Sequence, residues 1–293
     1  MTTKGIKTYN YLIINILNKL PNINKRRKDF LVEIFVLLLS IKGRINFLQL
    51  SRYGNFKEQR YRQQFEKQFD FLEFNKQLVL SSGGGKYAIA FDPSYINKSG
   101  KSTPGLGYFW SGVAGHSKWG LEIAGIAAID LENHTAHHLD AVQTFVNNNK
   151  DITLTDWYAS IITARKDHLR EISSIIVADA WFSKKKFVDA IILMQMNFIS
   201  RFRNDADLLY LFTGEQSKGR GRPKKYSGKV IHTNIDKDYF QLVEKNDKAE
   251  IYCAQVYSKS LKRIIKLVHV IYQNKKGKKT PKLYFSQTYH WVL

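Results

Sequence analysis

Two short apolar runs, each followed directly by an aspartate, constrain the fold of this chain more than any other feature. The first run spans residues 87–91 and precedes Asp92, and the second spans residues 175–178 and precedes Asp179. Runs of this length and composition are typical of buried strands. An aspartate that follows such a strand projects from a rigid sheet toward solvent. Two of them on neighbouring strands can hold divalent cations, an arrangement that suits phosphoryl transfer.

The chain is also strongly basic. Its 293 residues contain 46 Lys and Arg against 25 Asp and Glu, a formal net charge of +21. A charge of this size favours polyanions, namely DNA, RNA or an anionic membrane, and nucleic acid fits best. A solvated basic surface without a specific partner is the alternative. The 44% hydrophobic content is enough for a sizeable core in one or two domains.

Cysteine usage and hydropathy bear on the compartment. Cys253 is the only cysteine, so neither an internal disulfide nor a cysteine-based zinc site can form. The longest apolar run, residues 30–41, contains Glu33 and is shorter than the about 20 residues that a bilayer-crossing helix needs. We therefore expect a cytosolic protein without a membrane partner, in which residues 30–41 form a buried helix.

Residues 1–82 are expected to be helical. Apolar side chains recur there at helical spacing, as at Leu12, Ile16 and Leu20, and residues 57–67 follow as a charged segment. A small helical unit with exposed cations suits DNA binding, and a plain packing module fits the pattern equally well. The sequence Ser-Ser-Gly-Gly-Gly at residues 81–85 is the clearest linker signal.

Beyond the linker the pattern changes to strands alternating with helices. The predicted strands are residues 86–92, 106–113, 119–130, 174–179 and 197–203, with 134–143 as an extension, and the predicted helices are residues 154–171 and 183–195. This order predicts an α/β fold in which helices flank a mixed sheet. The strands at 86–92 and 174–179 can lie side by side and parallel, which would bring Asp92 and Asp179 to one end of the sheet.

A β-rich region is expected after residue 204. Its strand candidates are residues 228–233, 239–244, 249–257, 262–272 and 281–285. We accordingly divide the chain into a helical region (1–82), a core (83–204) and a β-rich part (205–293). The basic loop Lys218–Lys225, with sequence Lys-Gly-Arg-Gly-Arg-Pro-Lys-Lys, precedes these strands. It fits insertion of Arg220 and Arg222 into a narrow minor groove, and it also fits a solvated loop with general phosphate affinity.

Each aspartate also has a purely structural interpretation. Asp92 can form a turn before Pro93, and Asp179 can cap the helix that follows it. Ser183 is the better placed cap for a helix at residues 183–195. This placement favours metal binding as the role of Asp179.

Three segments together resemble one protein family. They are Asp92-Pro93-Ser94 with Lys98 and Ser99, then Gly115-His116-Ser117-Lys118-Trp119-Gly120, then Val177-Ala178-Asp179-Ala180-Trp181-Phe182-Ser183. In these segments, in the basic loop and in the β-rich stretch, the chain resembles the bacterial insertion-sequence transposases with an RNase H-like DDE catalytic domain. The resemblance covers residues 85–285 of the chain.

The resemblance implies a mechanism, site residues and partners. Asp92 and Asp179 would bind two Mg²⁺ or Mn²⁺ ions for DNA strand cleavage and transfer in transposition. The implied partners are transposon-end and target DNA, with a homo-oligomer on DNA, in the cytoplasm of a bacterium at its nucleoid. The implied DNA contacts are Lys98, Lys118, Lys184, Arg220, Arg222, Lys224 and Lys225. His116 and Lys118 also fit a plain hairpin turn.

The chain departs from the family at the third carboxylate. The family completes its site with a Glu on a helix after the β insertion, in a Tyr…Arg…Glu…Lys pattern, whereas residues 287–293 here contain no Glu. After Asp179 the glutamates are Glu215, Glu244 and Glu250, all expected in or beside the β-rich part. The sequence therefore suggests a truncated transposase with weak or absent chemistry. A noncatalytic DNA-binding remnant that inhibits or partners a full-length copy is the alternative.

Overall fold

A computed structural model describes residues 3–100, 102–145, 151–216, 219–273 and 279–287. The chain forms two compact units, Met1–Gly83 and Gly84–Leu293. The boundary falls inside the Ser-Ser-Gly-Gly-Gly segment. Across the described ranges, no helix combines the length and the apolar character that a bilayer crossing requires.

The first unit is built from helices. They are α1 (Thr3–Lys19), α2 (Lys25–Ser40), α3 (Phe47–Tyr53), α4 (Glu58–Phe65) and α5 (Phe71–Ser82). The side chains of Asn24, Asn46 and Asp70 each accept the backbone N–H three residues further on. These caps satisfy donors that the first turns of α2, α3 and α5 leave open. The helices enclose an apolar core that includes Ile16 and Leu17.

The buried helix expected at residues 30–41 is confirmed, since α2 buries Phe30 and Leu31. Glu33 interrupts its apolar run and is held by polar partners. It accepts hydrogen bonds from the Tyr61 hydroxyl and, at 2.8 Å, from the Asn55 backbone N–H. Burial, together with this carboxyl group, raises the pKa of Tyr61 to about 12. A polar residue is therefore tolerated at this partly buried position because its acceptors are paired.

The second unit combines strands and helices, as the sequence predicts. The strands are β1 (Tyr87–Asn97), β2 (Gly107–Ser111), β3 (His116–Asp130), β4 (Thr135–Gln143), β5 (Ile175–Ala178), β6 (Asn197–Arg201), β7 (Leu208–Leu211), β8 (Tyr226–Lys229), β9 (Gln241–Lys245), β10 (Ala249–Ser258), β11 (Arg263–Gln273) and β12 (Lys279–Ser286). The helices are α6 (Leu154–Thr163), α7 (Lys166–Ile172) and α8 (Lys185–Leu193), with a 3₁₀ turn at Ala180–Phe182.

These strands form one mixed sheet in the order β2-β3-β1-β5-β6-β12-β11-β10-β7-β8, with β4 beside β3 and β9 beside β10. The predicted parallel pairing of β1 with β5 is confirmed, and β5 also runs parallel to β6. β12 lies between β6 and β11 in antiparallel pairing. The β-rich part therefore extends the sheet of the core. The protein is thus a mixed α/β fold with flanking helices.

Aromatic rings join the helices to the sheet. α6 and α8 pack together, and Phe187 of α8 lies 5.5 Å from Phe198 of β6 and 6.0 Å from Phe91 of β1, measured between ring centroids. All three rings are almost fully buried. Because Phe91 immediately precedes Asp92, this packing anchors the strand segment that carries the first aspartate.

The predicted end of the first strand at Asp92 is wrong. β1 continues through Asp92 to Asn97, and Asp92 lies opposite Gly125 within the pairing with β3. β5 ends at Ala178, so no described strand pairs with the far segment of β1 on the side where β5 stops. Proline lacks an N–H and is tolerated at such an edge, which explains why Pro93 does not end the strand.

Two further sequence expectations need correction. The single helix expected at residues 154–171 is two helices, because α6 ends at Thr163 and α7 begins at Lys166. Between them Arg165 leaves helical geometry (φ −111°, ψ 6°), and its Nε donates to Asp140 of β4 at 2.6 Å. β7 was not predicted from the sequence. With four residues it is too short for a clear alternation, and it becomes a strand by pairing with β10 and β8.

Candidate active site

Asp92 and Asp179 occupy equivalent positions on neighbouring strands. The parallel register pairs Ile89 with Ile176 and Ala90 with Val177, and each aspartate follows two residues beyond the second pair. Asp179 keeps an extended backbone (φ −70°, ψ 177°), so the same register reaches it. Because side chains alternate along a strand, the two carboxylates lie on the same face of the sheet. The structure therefore brings the two predicted residues together.

The electrostatics of Asp92 reflect this pairing. Partial burial raises the pKa of its carboxyl group, and the nearby negative charge of Asp179 raises it further. Gly125 stands directly opposite Asp92 on β3 and has no side chain, which leaves that side of the carboxylate open. Both aspartates are exposed at the surface. The pair is thus a concentration of negative charge that is accessible from solvent.

The backbone fixes Asp179 in place. Its Oδ1 accepts the Trp181 backbone N–H at 3.0 Å, and its carbonyl oxygen accepts the Ser200 hydroxyl at 2.7 Å. Asp179 therefore caps the 3₁₀ turn, and the cap engages one of its two carboxylate oxygens. The expectation that Ser183 caps α8 is wrong. The hydroxyl of Ser183 donates to the Arg201 carbonyl oxygen at 2.9 Å instead, and the cap position of α8 is Lys184, which makes no side-chain capping bond.

Among the predicted DNA contacts, Lys184 interacts electrostatically with Asp179 of the pair. Its Nζ stands 3.2 Å from the centre of the Trp181 ring, a cation–π geometry. Desolvation lowers the pKa of Lys184, and attraction by the Asp179 carboxylate opposes that change. Lys184 is thus a cation held close to Asp179, where it can meet a phosphate bound beside the aspartates.

The other predicted contacts lie at varied positions. Lys98 is exposed directly after β1. Lys118 is exposed on β3 opposite Phe109 of β2; by strand alternation it belongs to the sheet face opposite Asp92. The structure therefore does not gather Lys118 with the aspartates. His116, the first residue of β3, follows the turn that connects β2 to β3.

The basic loop connects β7 to β8, and its described residues begin at Gly219; Lys218 lies outside them. Arg220, Arg222, Lys224 and Lys225 are all exposed. Gln216 closes the base of the loop, since its side-chain amide both donates to the carbonyl oxygen and accepts the N–H of Lys224, each at 2.9 Å. Gly221 between the two arginines has φ +151°, a conformation that favours glycine.

Sequence reasoning missed Tyr158 of α6, which contacts the segments that carry both aspartates. Its ring lies 5.7 Å from Phe91 and 5.6 Å from Phe182 between centroids. Its hydroxyl donates a hydrogen bond to the carboxyl group of Glu122, and both side chains are buried. Burial and this carboxyl group raise the pKa of Tyr158. A tyrosine in an apolar helical stripe gives no sequence signal of such a contact.

The three glutamates that follow Asp179 in the chain are the sequence candidates for a third carboxylate. Glu244 lies on β9 and Glu250 on β10, and Glu215 lies in the segment between β7 and the basic loop. Within the described ranges no group of three or more His, Cys, Asp or Glu residues is arranged to hold a metal ion. Residues 288–293 lie outside those ranges.

Comparisons with known proteins add no family assignment. No family model matches the chain, and no curated protein matches it. The class that the fold and site define is therefore a mixed α/β protein with a pair of aspartates on adjacent parallel strands.

Proposed function

We propose that this protein is a DNA transposase of the DDE type with an RNase H-like core, which cleaves and transfers DNA strands with the help of divalent metal ions. The observation that carries the proposal is the placement of Asp92 and Asp179 at the same register position of two adjacent parallel strands. Paired carboxylates on a rigid sheet suit metal-assisted phosphoryl transfer. The sequence resemblance described above supports the choice of reaction.

The charge of the chain supports DNA as the substrate. A net charge of +21 attracts a polyanion over a long range and makes binding dependent on salt. Lys184 beside Asp179, Lys98 after β1 and the exposed cations of the basic loop are the phosphate contacts within this proposal. It also includes assembly of several copies on transposon ends, and a cytoplasmic, nucleoid-associated location.

The donor set fits Mg²⁺ or Mn²⁺. Both ions take hard oxygen ligands such as carboxylates. Desolvation and the negative charge of Asp179 both raise the pKa of Asp92, and a cation between the carboxylates would relieve the repulsion. When bound, such ions would polarise the reacting phosphodiester and stabilise the leaving oxygen. The two aspartates would hold the ions, and the cap at Trp181 would keep Asp179 oriented.

The chemistry assigned to the site is an in-line displacement at phosphorus. In cleavage, a water oxygen forms a bond to phosphorus while the bond to the 3′-oxygen breaks, which leaves a 3′-hydroxyl. In transfer, that 3′-hydroxyl attacks a phosphodiester of the target and displaces another 3′-oxygen. The contribution of Lys184 is to neutralise phosphate charge, and the contribution of the Tyr158 ring is to hold the segments around both aspartates.

The proposal is tested with the variants Asp92→Asn and Asp179→Asn. DNA cleavage is measured in a plasmid-nicking assay, and Mn²⁺ binding is measured separately by calorimetric titration. Asp205→Asn is the matched control, because Asp205 is exposed and pairs only loosely with Arg203 at 3.5 Å. We expect both site variants to lose Mn²⁺ binding and nicking while the control keeps both. Nicking that survives both site variants would refute the assignment.

A second candidate is a noncatalytic DNA-binding protein that occupies ends or pairs with a full-length copy. The observation that favours it is the basic loop, which is exposed, closed by Gln216 and carried by β7 and β8 rather than by the strands of the aspartates. DNA binding without metal dependence, joined to an absence of nicking in the intact chain, would favour this candidate. Metal-dependent nicking that requires Asp179 would exclude it.

A further inference from the structure

The β2–β3 hairpin carries three exposed aromatic side chains. Tyr108, Trp110 and Trp119 expose 71%, 62% and 44% of their surface. Tyr108 and Trp119 are opposite each other in the antiparallel register, with ring centroids 5.3 Å apart. Trp110 lies two residues beyond Tyr108 and opposite Ser117. The three rings therefore share one face of the hairpin, and we refer to Tyr108, Trp110 and Trp119 as the aromatic face.

The aromatic face lies on the same side of the sheet as Asp92. Asp92 pairs with Gly125 on β3, and Trp119 lies six residues from Gly125 on that strand. An even number of residues along a strand returns the side chain to the same face. The separation along the strand is about 20 Å at about 3.3 Å per residue. This distance corresponds to about six nucleotides of a strand that keeps the stacked, duplex-like rise.

A tyrosine on the other face of the sheet fixes the backbone at Trp119. Tyr95 of β1 belongs to the other face, and its hydroxyl donates to the Trp119 carbonyl oxygen at 2.7 Å. A Cβ at Gly120 would lie 2.6 Å from the Tyr95 ring, so the ring packs directly on the backbone there. The exposed rings therefore stand on a stiff backbone, which lowers the entropy cost of stacking a ligand on them.

The surrounding charge favours an anionic ligand. Residues 93–121 contain no Asp or Glu, and they include the exposed Lys98 directly after β1; Lys118 lies on the opposite face of the strand. Flat aromatic rings interleaved with cations are the usual surface for unpaired nucleotides, because every base has a face that can stack. Neighbouring side chains on one face of a strand are about 6.7 Å apart, which admits a flat base between the rings of Tyr108 and Trp110.

We propose that the aromatic face binds unpaired bases of single-stranded DNA by stacking, with Lys98 available to the phosphates. The choice of DNA as ligand rests on the proposed function. The stacking itself needs neither metal nor the aspartates. The site would hold the unpaired end or flank of a DNA strand whose scissile phosphate lies about six nucleotides away.

The test compares two double variants. One carries Trp110→Leu and Trp119→Leu, which keep apolar bulk, and the other carries Trp110→Phe and Trp119→Phe, which keep a stacking ring. Fluorescence anisotropy measures binding of a labelled 15-nucleotide oligo(dT) and of a blunt duplex, both in EDTA. We expect the leucine variant to lose about 25-fold or more in single-strand affinity, since each stack contributes about fivefold or more. The phenylalanine variant should retain most of that affinity, and duplex binding should be unchanged.

Equal single-strand affinity of the leucine variant and the parent protein would overturn the inference. So would an equal loss for single strand and duplex. Sedimentation velocity covers the remaining case: a parent dimer that the leucine variant dissociates, with single-strand affinity retained, would make the face a contact between copies and refute base stacking. Failure of the proposed function is separable, because aromatic-dependent binding in EDTA would persist even if Asp92→Asn and Asp179→Asn left nicking intact.

Discussion

The hydrogen bond from Tyr158 to Glu122 supports a quantitative prediction about stability. The two side chains are only 3% and 5% exposed. Tyr158→Phe removes the hydroxyl and keeps the ring contacts with Phe91 and Phe182. The Glu122 carboxyl group then loses a donor in a buried place, which costs about 2–3 kcal/mol of unfolding free energy. That loss is large against the about 5–15 kcal/mol typical of a folded domain.

The reasoning is checked by denaturant unfolding followed by circular dichroism. Tyr108→Phe is the matched control, because Tyr108 is exposed in the same unit and should change stability by less than about 0.5 kcal/mol. Adding Glu122→Leu to Tyr158→Phe removes both polar partners, so the double variant should be less destabilised than the sum of the single variants by about 1–3 kcal/mol. Strict additivity, or a Tyr158→Phe cost no greater than that of the control, would refute the argument.

Three further predictions concern charge. Asp130 is buried and accepts the backbone N–H groups of Asn133 and Gly84, which help to hold its pKa at about 2, below the ordinary 3.8. The ionised carboxylate therefore adds to the free energy of unfolding above about pH 4, and this stabilisation is lost as the pH falls through about 2. Asp130→Asn should consequently flatten the decline of stability with acid in that window. Arg220→Ala with Arg222→Ala should reduce the slope of log affinity for DNA against log salt by about 1.8, as measured by anisotropy; an unchanged slope would show that the loop does not contact phosphate. Lys184→Met keeps the stem over Trp181 but removes the charge, and the same measurement should show a reduction of about 0.9.

Much of the second unit follows from local patterns. The run that precedes Asp179 is short and apolar, and the parallel β1–β5 pairing follows from the order of strands and helices. The segments that deviate depend on distant partners. β1 passes Pro93 because β3 continues beside it, and β7 is a strand because β10 is there to pair with it. Neither partner can be inferred from the residues of the segment itself.

The aspartate pair and its surroundings also differ in how far the sequence predicts them. The positions of Asp92 and Asp179 could be predicted because equal offsets on parallel strands give equal heights in the sheet. The cap made by Asp179, the Ser183 bond to Arg201 and the Tyr158–Glu122 contact all depend on how the chain turns after β5. Turns of three or four residues have several competing hydrogen-bond patterns, and sequence alone did not distinguish them.

The position of β12 has a consequence for how the protein folds. β12 is the last of the described strands in chain order, yet it lies between β6 and β11, and the ring of its Phe285 stacks 4.2 Å from that of Phe202. During synthesis β6 can therefore pair with β12 only after more than seventy further residues have been made. Until then β6 and β11 each present an unpaired edge, and such edges are templates for pairing with other chains. Slow, late closure of this kind makes folding dependent on long-range contacts, so interruption of synthesis before residue 279 would release a species prone to aggregate.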